Sequence, residues 1–504
     1  MTDASTDRSR WLALYVLCAG MLMIVLDATI VNVALPSIKH DLDFSPSGLA
    51  WVVNAYLIAF GGLLLLAGRF GDLLGQRRVF LTGLGVFIVA SLLCGLAANQ
   101  TVLVAARFVQ GLGGALTSAV VLGMIVTMFP EPAELAKAIG VYGFVASAGG
   151  SIGLLAGGAL TSAIGWHWIF FVNVPVGVVA AFLATRVVPN RPGIGVKAGA
   201  DIPGAVLLMA GLMLGVYTIL QVSSHGWTAT RTLVLGAIAA ALLMAFLARQ
   251  ARIANPLMPL RLFRSRTVSG ANVIQALLAA SMFGVFFIGT LYLQQVLGYD
   301  ALGVGLAFLP STVVMGAMSL RFAAPITARL GMRTTVIIGL ALIVTGLLLF
   351  ARTPVQGSYL ANVLPATILF GAGAGLSVPP LTRLAMSAAT PDDAGLASGL
   401  MNTTIQVGGA IGLSVLATLA AGRTDAMTQR DVATTVALNT GYHLAYLVAA
   451  ALATVAVIVA ARGLRPITDA ATALDEGPAD SADPKFATAA EPRCTTHIEY
   501  AVVD

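Results

Sequence analysis

From Trp11 to Pro36 the chain reads WLALYVLCAGMLMIVLDATIVNVALP, an apolar run in which Asp27 is the only charged residue. About 20 such residues cross the ~30 Å hydrocarbon core of a bilayer as a helix. Lipid offers no partner to an unpaired backbone N–H or C=O, so a spanning segment must satisfy its own backbone. Runs of the same kind recur as far as Arg465. The 504 residues are 58% hydrophobic and only 10% charged, with a mean hydropathy of +0.91. A soluble domain carries about 25% charged residues, so this chain cannot clothe a water-facing globule of its size. The runs also lack the two-residue alternation of barrel strands. The fold class is all-α integral membrane.

Apolar windows give about fourteen spans, starting near Trp11, Gly48, Val79, Thr101, Ala138, Trp168, Ile202, Arg231, Val268, Gly303, Thr334, Ser358, Gly399 and Gly441. With the N-terminus inside, about twenty Lys and Arg residues fall in inner loops. Five fall outside: Lys39, Arg231, Arg352, Arg423 and Arg430. Such a bias sets membrane orientation, and one miscounted span would reverse the later loops and erase it. An even number of spans with both termini cytoplasmic is therefore expected. The net charge of +6 sits in these short loops rather than in a basic stripe with aromatics. That favours anchoring on lipid headgroups over binding nucleic acid. The opening MTDASTDRSR has no small-residue cleavage site and reads as a cytoplasmic lead, not a signal peptide. Cys18 and Cys94 fall in spans and Cys494 in a polar tail, so no disulfide framework is expected.

The two ends of the membrane region resemble each other. Gly75 and Arg77 correspond to Gly331 and Arg333, Gly111 and Gly113 to Gly371 and Gly373, and Gly149, Gly150 and Gly153 to Gly408, Gly409 and Gly412. Three blocks in one order at a nearly constant offset imply two related six-helix halves. The expected organisation is a cytoplasmic N-terminus (1–10), a first half (11–188) and a linker with two extra spans (189–266). A second half (267–465) and a disordered cytoplasmic tail (466–504) follow. Duplicated halves that rock about a midplane site are a transporter architecture.

Several local patterns have a physical reading. In GRFGDLLGQRR, Gly68, Gly71 and Gly75 permit a tight turn, and Asp72 stands among Arg69, Arg77 and Arg78. In the fifth span, Gly149, Gly153 and Gly157 recur every four residues and form a smooth groove for a neighbouring helix. Gly158 extends it. GAGAG at Gly371 to Gly375 lies inside an apolar span with no preceding strand, so it packs helices and does not cradle a phosphate.

Taken in order, four segments resemble the major facilitator superfamily, and within it the fourteen-span drug–proton antiporter branch. They are LDATIVNVALP (Leu26 to Pro36), GRFGDLLGQRR (Gly68 to Arg78), LVAARFVQGLGGA (Leu103 to Ala115) and WIFFVNVPVG (Trp168 to Gly177). The resemblance covers about residues 10 to 465. It implies that the Gly68–Arg78 loop acts as a gate that locks the inner side in one transport state. It also implies an antiporter-like packing role for Gly149, Gly153, Gly157 and Gly158. The branch has proline where this chain has Leu154, so the kink expected of that motif is missing. The second copy of the loop has Ala328 in place of Asp72, which makes any lock asymmetric.

A charge within the bilayer is a functional hypothesis by default. Asp27 is the only acid well inside a span, Asp201 opens the seventh, and Arg107 is the clearest buried base. At 1.5 Å per residue, Asp27 lies about 12 Å and Arg107 about 9 Å from the outer end, so the two can meet. Paired, Arg107 favours the carboxylate; separated, Asp27 takes a proton. Asp27 is thus the expected proton-coupling acid and Arg107 its conformation-dependent partner; a static ion pair is the alternative. Asn32, Asn54, Gln110, Asn272, Gln275, Asn402 and Gln406 are candidate cavity residues, with interhelical hydrogen bonds as the alternative role.

The resulting expectation is a secondary transporter in the bacterial cytoplasmic membrane. It would export amphipathic drugs or antibiotics in exchange for protons and confer resistance. A proton-coupled symporter or facilitator for a small metabolite is the alternative. No nucleophile cluster, metal-ligand spacing or ATP-binding loop is present in the sequence. An enzyme, a metal site, a cofactor and a primary pump are therefore not expected, and the working unit is expected to be a monomer in lipid.

Overall fold

The computed structural model describes residues 3–190, 192–193, 195, 201–253, 256–258, 260–387 and 394–464. Arg191, Lys197, Arg465 and the tail with Cys494 lie outside the described residues. The first group of helices is α1 (Asp3–Asp41), α2 (Pro46–Leu74), α3 (Gln76–Gly95), α4 (Gln100–Met128), α5 (Pro132–Ile164), the short α6 (Trp168–Phe171) and α7 (Asn173–Val187). A hairpin follows, α8 (Ile202–His225) and α9 (Thr230–Gln250). The last group is α10 (Arg266–Gln295), α11 (Ala301–Ala317), α12 (Ala323–Leu330), α13 (Met332–Phe350), α14 (Leu364–Met386), α15 (Ala394–Thr428) and α16 (Thr434–Gly463). A π-helical stretch, Met318–Phe322, joins α11 and α12 into one span.

Among the described residues thirteen helices are long and apolar enough to cross a membrane. The helix α5 is the remaining span, its described apolar part running over Ile152–Ile164. The count agrees with about fourteen spans. Several spans open on a side-chain cap, because the first N–H groups of a helix lack intrahelical partners. Ser45, Asn99, Asp201, Ser265 and Asp300 each accept the N–H three residues on. Some boundaries differ from the sequence reading: α5 begins at Pro132 rather than Ala138, α16 at Thr434 rather than Gly441, and α1 is helical from Asp3 rather than from Trp11. Nothing in DASTDRSR breaks a helix, so the hydrogen-bond ladder of the span continues into the polar lead.

The internal repeat has a physical counterpart in the packing. Gly83 and Gly113 bring α3 and α4 into backbone contact, and Gly339 and Gly373 do the same for α13 and α14. At the turns, Gly75 (φ 95°) and Gly331 (φ 79°) adopt conformations that L-residues avoid. Two residues later, Arg77 donates to the Thr185 carbonyl at the end of α7, and Arg333 to the Ala461 carbonyl at the end of α16. Each arginine therefore sits at a helix C-terminus, where the backbone dipole favours a cation.

Short connections make successive spans antiparallel, so the bundle has an arginine-rich end and an arginine-poor end. The halves meet along α2 and α15, where Asn54 Nδ2 donates to Ser414 Oγ (2.8 Å) and Thr403 Oγ1 to the Gly61 carbonyl (3.0 Å). A second seam joins α5 to α11, with Gly158 against the Ala301 backbone and Ser162 Oγ accepting the Leu302 N–H (3.2 Å). Gln294 Nε2 also reaches the Val33 carbonyl across the halves (2.9 Å). The hairpin helix α8 lies on the first seam: Met209 packs on Gly62 of α2, and Thr418 Oγ1 of α15 donates to the Ile219 carbonyl (3.1 Å).

Candidate functional site: a buried charge cluster

Arg107 and Gln110 are three residues apart on α4 and so share one face of it. That face meets α1 at Asp27. Arg107 Nη1 donates to Asp27 Oδ2 (2.6 Å), and Gln110 Nε2 donates to Asp27 Oδ1 (2.8 Å). A third donor comes from the start of α7, where Asn173 Nδ2 lies 2.9 Å from the same Oδ1. The guanidinium is held in turn by the Val52 carbonyl of α2 (2.9 Å, from Nε) and by Gln110 Oε1 (2.7 Å, from Nη1). It also lies 4.4 Å from the centre of the Tyr56 ring, a cation–π distance. Ser91 Oγ of α3 accepts from Gln110 Nε2 (2.8 Å).

All of these groups are shut away from solvent: Asp27, Ser91, Arg107 and Gln110 are 0% exposed and Asn173 1%. Taking two charges into such a place costs several kcal/mol per ion, repaid only by close geometry and satisfied hydrogen bonds. Both carboxylate oxygens are occupied by donors from α4 and α7, and with α2 holding Arg107 and α3 holding Gln110 the cluster joins five elements of the first half, α1 included. The repeat does not extend to this chemistry. At the matching offset the second half places Phe283, Phe286 and Phe287 on α10 and Thr367 on α14.

The sequence reading anticipated the meeting of Asp27 and Arg107. It missed Asn173, although Asn173 stands out as the one polar residue in WIFFVNVPVG. Ser91 and Tyr56 gave no signal, because one hydroxyl in an apolar run is ordinary.

The other candidates are dispersed. Gln110 belongs to the Asp27 cluster. Asn32 Nδ2 bonds carbonyls of its own helix, Ala28 and Thr29 (3.3 Å each), whereas Asn54 crosses between the halves. Asn272 Nδ2 donates to the Val268 carbonyl (2.9 Å), while Asn272 Oδ1 and Gln275 Oε1 are buried and unpartnered. Gln406 of α15 packs on Gly61 of α2, and Asn402 is partly buried on the same helix as Gln406. On α5, Gly149, Gly153 and Gly157 face α1 at Val25, Leu26 and Ile30, while Gly158 faces α11. The Gly68–Arg78 stretch is not the glycine-rich loop expected from sequence: Gly68, Arg69, Gly71 and Asp72 continue α2, Arg77 and Arg78 already belong to α3, and Gly75 alone makes the turn, since only it leaves the helical conformation. Arg77 is tied to α7 within its own half, and Gly195 N–H covers the turn by donating to the Leu73 carbonyl (3.1 Å). Asp72 and Arg78 are exposed, Arg69 is partly buried, Gly71 packs against Val120, and Gly68 has open space around it.

The family profile described as Major Facilitator Superfamily matches residues 17–413. The chain belongs to that superfamily. It is a transporter and not an enzyme, with many helices crossing a membrane. Within the superfamily it is 39% identical over 427 residues to the puromycin resistance protein pur8 of Streptomyces alboniger, covering 83% of this chain and 84% of the relative. It is 40% identical over 410 residues to the cephamycin export protein CmcT of Amycolatopsis lactamdurans, covering 81% and 84%. Superfamily architecture is also seen in a solved bacterial homologue of the human lysosomal transporter Spinster. Its TM-score is 0.63 at 16% identity, covering 90% of this chain and 96% of that one. That likeness speaks for the fold alone.

Proposed function

We propose that this transporter exports amphipathic drugs or antibiotics across a bacterial cytoplasmic membrane in exchange for protons. It works as a monomer, with both termini and the arginine-rich end inside. The observation that carries the coupling is Asp27, an acid 0% exposed whose carboxylate is held by a cation on a different helix. A carboxylate matched this closely to a movable guanidinium has two states. With Arg107 in place it is the ionised partner; with α4 withdrawn from α1 it must take a proton or stand as an uncompensated charge. A shift of α4 against α1 within the first half, made as the halves rock, would exchange these states once per cycle and tie proton passage to substrate release. Export is supported by the relatives, named for puromycin resistance and for cephamycin export. In the same cycle the exposed Asp72 is available to a partner in the second half when the arginine-rich end closes.

The test is uptake of a fluorescent amphipathic dye into everted membrane vesicles carrying the protein. Uptake should follow an imposed proton gradient and collapse on addition of a protonophore. Asp27→Asn should reach the membrane in normal amount and lose gradient-driven uptake. Full activity of Asp27→Asn would remove the coupling role. Accumulation by intact cells instead of extrusion would replace export with symport.

A further inference from the structure

Of the five elements that meet at the Asp27 cluster, α1, α2, α3 and α4 run past it as continuous helices. The fifth is broken: α6 ends at Phe171, α7 begins at Asn173, and Pro175 has no N–H to offer the Phe171 carbonyl. This broken segment covers the cluster at the arginine-poor end. Phe170 is 0% exposed, and the Arg107 guanidinium lies 5.8 Å from the centre of its ring. Phe171 packs on Gly95 of α3, next to Cys94, whose thiol is 3.6 Å from Gln110 Oε1. Farther out, Trp166 meets Phe170 edge to face at 6.3 Å and donates its indole N–H to Asp41 Oδ2 (2.9 Å). Asp41 is exposed, and His167 stacks on Trp166 at 3.8 Å. A file of contacts therefore runs from the surface to the buried pair: Asp41, Trp166, Phe170, Arg107. At its base Gly165 turns at φ 100°, with open space where a Cβ would stand.

Proton transfer to a carboxylate needs a donor within hydrogen-bond reach, directly or through water. A phenylalanine ring supplies neither. Apart from Asp41 and His167 at the surface, the titratable groups around Asp27 are Arg107 of α4, Tyr56 of α2 and Cys94 of α3, all of them buried. We propose that α6 is the gate through which a proton enters from the arginine-poor side. Phe170 is the plug that keeps water from Asp27, and the bond from Trp166 to Asp41 latches it. The proposal rests on the coupling reading of Asp27. Lifting α6 about Gly165 admits water and also draws on Asn173, two residues beyond α6. The movement that opens the route thus loosens a donor that favours the ionised carboxylate, and Asp27 takes the proton more readily. Phe170 is in this sense a positioning residue: it controls access to the acid without touching substrate.

Two native thiols report on the gate: Cys94 under α6, and Cys18 farther along α1 towards the arginine-rich end, both buried. The full chain in phosphatidylcholine nanodiscs is treated with the water-soluble reagent 2-(trimethylammonium)ethyl methanethiosulfonate. Mass spectrometry locates the modification, with unfolded protein as the full-labelling reference. Both thiols should react slowly in the wild type. Phe170→Ala should speed modification of Cys94 about tenfold or more, an opening cost lower by about 1.4 kcal/mol, and leave Cys18 as it was. Gly95→Ala should do the same, because its Cβ would collide with the Phe171 ring and pry α6 from α3. Phe80→Ala removes an equally buried ring, packed on Gly20 nearer the arginine-rich end, and should leave Cys94 protected. Prompt labelling of Cys94 in the wild type, or its protection in both Phe170→Ala and Gly95→Ala, overturns the proposal. So does exposure of Cys94 by Phe80→Ala, or of Cys18 in step with Cys94, since either means general loosening. Labelling is read without transport, so the gate can fail while Asp27 still couples, and the coupling reading can fail in vesicles with the gate intact.

Discussion

Arg107 of α4 and Asp27 of α1 are 2.6 Å apart in a region where neither reaches solvent. The pair is anchored on both sides, by Val52 and Gln110 for the cation and by Gln110 and Asn173 for the anion. Removing one member of such a pair is far worse than removing both, because the survivor keeps its desolvation cost without its partner.

Arg107→Leu is therefore expected to destabilise the purified protein by about 3–5 kcal/mol. The double variant Asp27→Leu/Arg107→Leu should be less destabilised than the sum of the single ones. Thermal unfolding in detergent, calibrated with denaturant, measures both. An additive double variant would show that the pair is not energetically coupled.

Asn173→Ala removes one of three donors to the Asp27 carboxylate. A hydrogen bond to a charged group contributes about 1.5–3 kcal/mol, so the variant should lose stability on that scale while Arg107 still holds the acid. If the coupling reading is right, proton-driven uptake in Asn173→Ala falls without being abolished, unlike in Asp27→Asn. Vesicle uptake across external pH distinguishes the two.

At the turns of the repeat, Gly75→Ala and Gly331→Ala each place a Cβ on a backbone at φ 95° or 79°. Each is expected to cost about 1–3 kcal/mol. Gly68→Ala meets no neighbour and should be close to neutral. Similar melting shifts for all three would contradict this account of the turn.

Asp201 lies just before the α8 span and ties the hairpin together. Burial opposes its charge, but bonds from Arg249 Nε (2.6 Å), Gln250 Nε2 (2.7 Å) and the Gly204 N–H outweigh it and hold the carboxyl below its ordinary value. A lowered folded value means that its stabilisation is complete above the unfolded value of about 3.9. It is lost as pH falls through the folded one. The melting-temperature gap between wild type and Asp201→Asn should be full at pH 6 to 7 and shrink below about pH 4. A gap that widens in acid would reverse the assignment.

Asn54→Ala and Ser414→Ala each break the same bond across the seam of the halves. Interhelical hydrogen bonds in membranes average about 0.6 kcal/mol in double-mutant cycles, so a cycle on these two should return a coupling of that size. A zero coupling energy would mean that the contact does not help hold the seam in this arrangement.

Much of the molecule was legible before any coordinates. Composition and run length fixed a helical membrane protein, since lipid permits no other use of twenty apolar residues in a row. Constant-offset glycines gave the repeat, because close helix contact tolerates no side chain at Gly113 or at Gly373. Asp27 and Arg107 stood out as charges where charges are expensive. Beyond that one pair, the sequence could not carry contact between distant segments. Asn173 is 146 residues from Asp27, and nothing in its own run says which acid it meets. Nor could hydropathy show that α8 lies over the α2–α15 seam, or that Arg77 is spent on the end of α7. Lys39 looked like one more loop charge until folding set it in one cavity lining with Gln295 and Tyr442. Local chemistry decides whether a segment can live in lipid; only packing decides which buried groups face each other, and function here depends on that pairing.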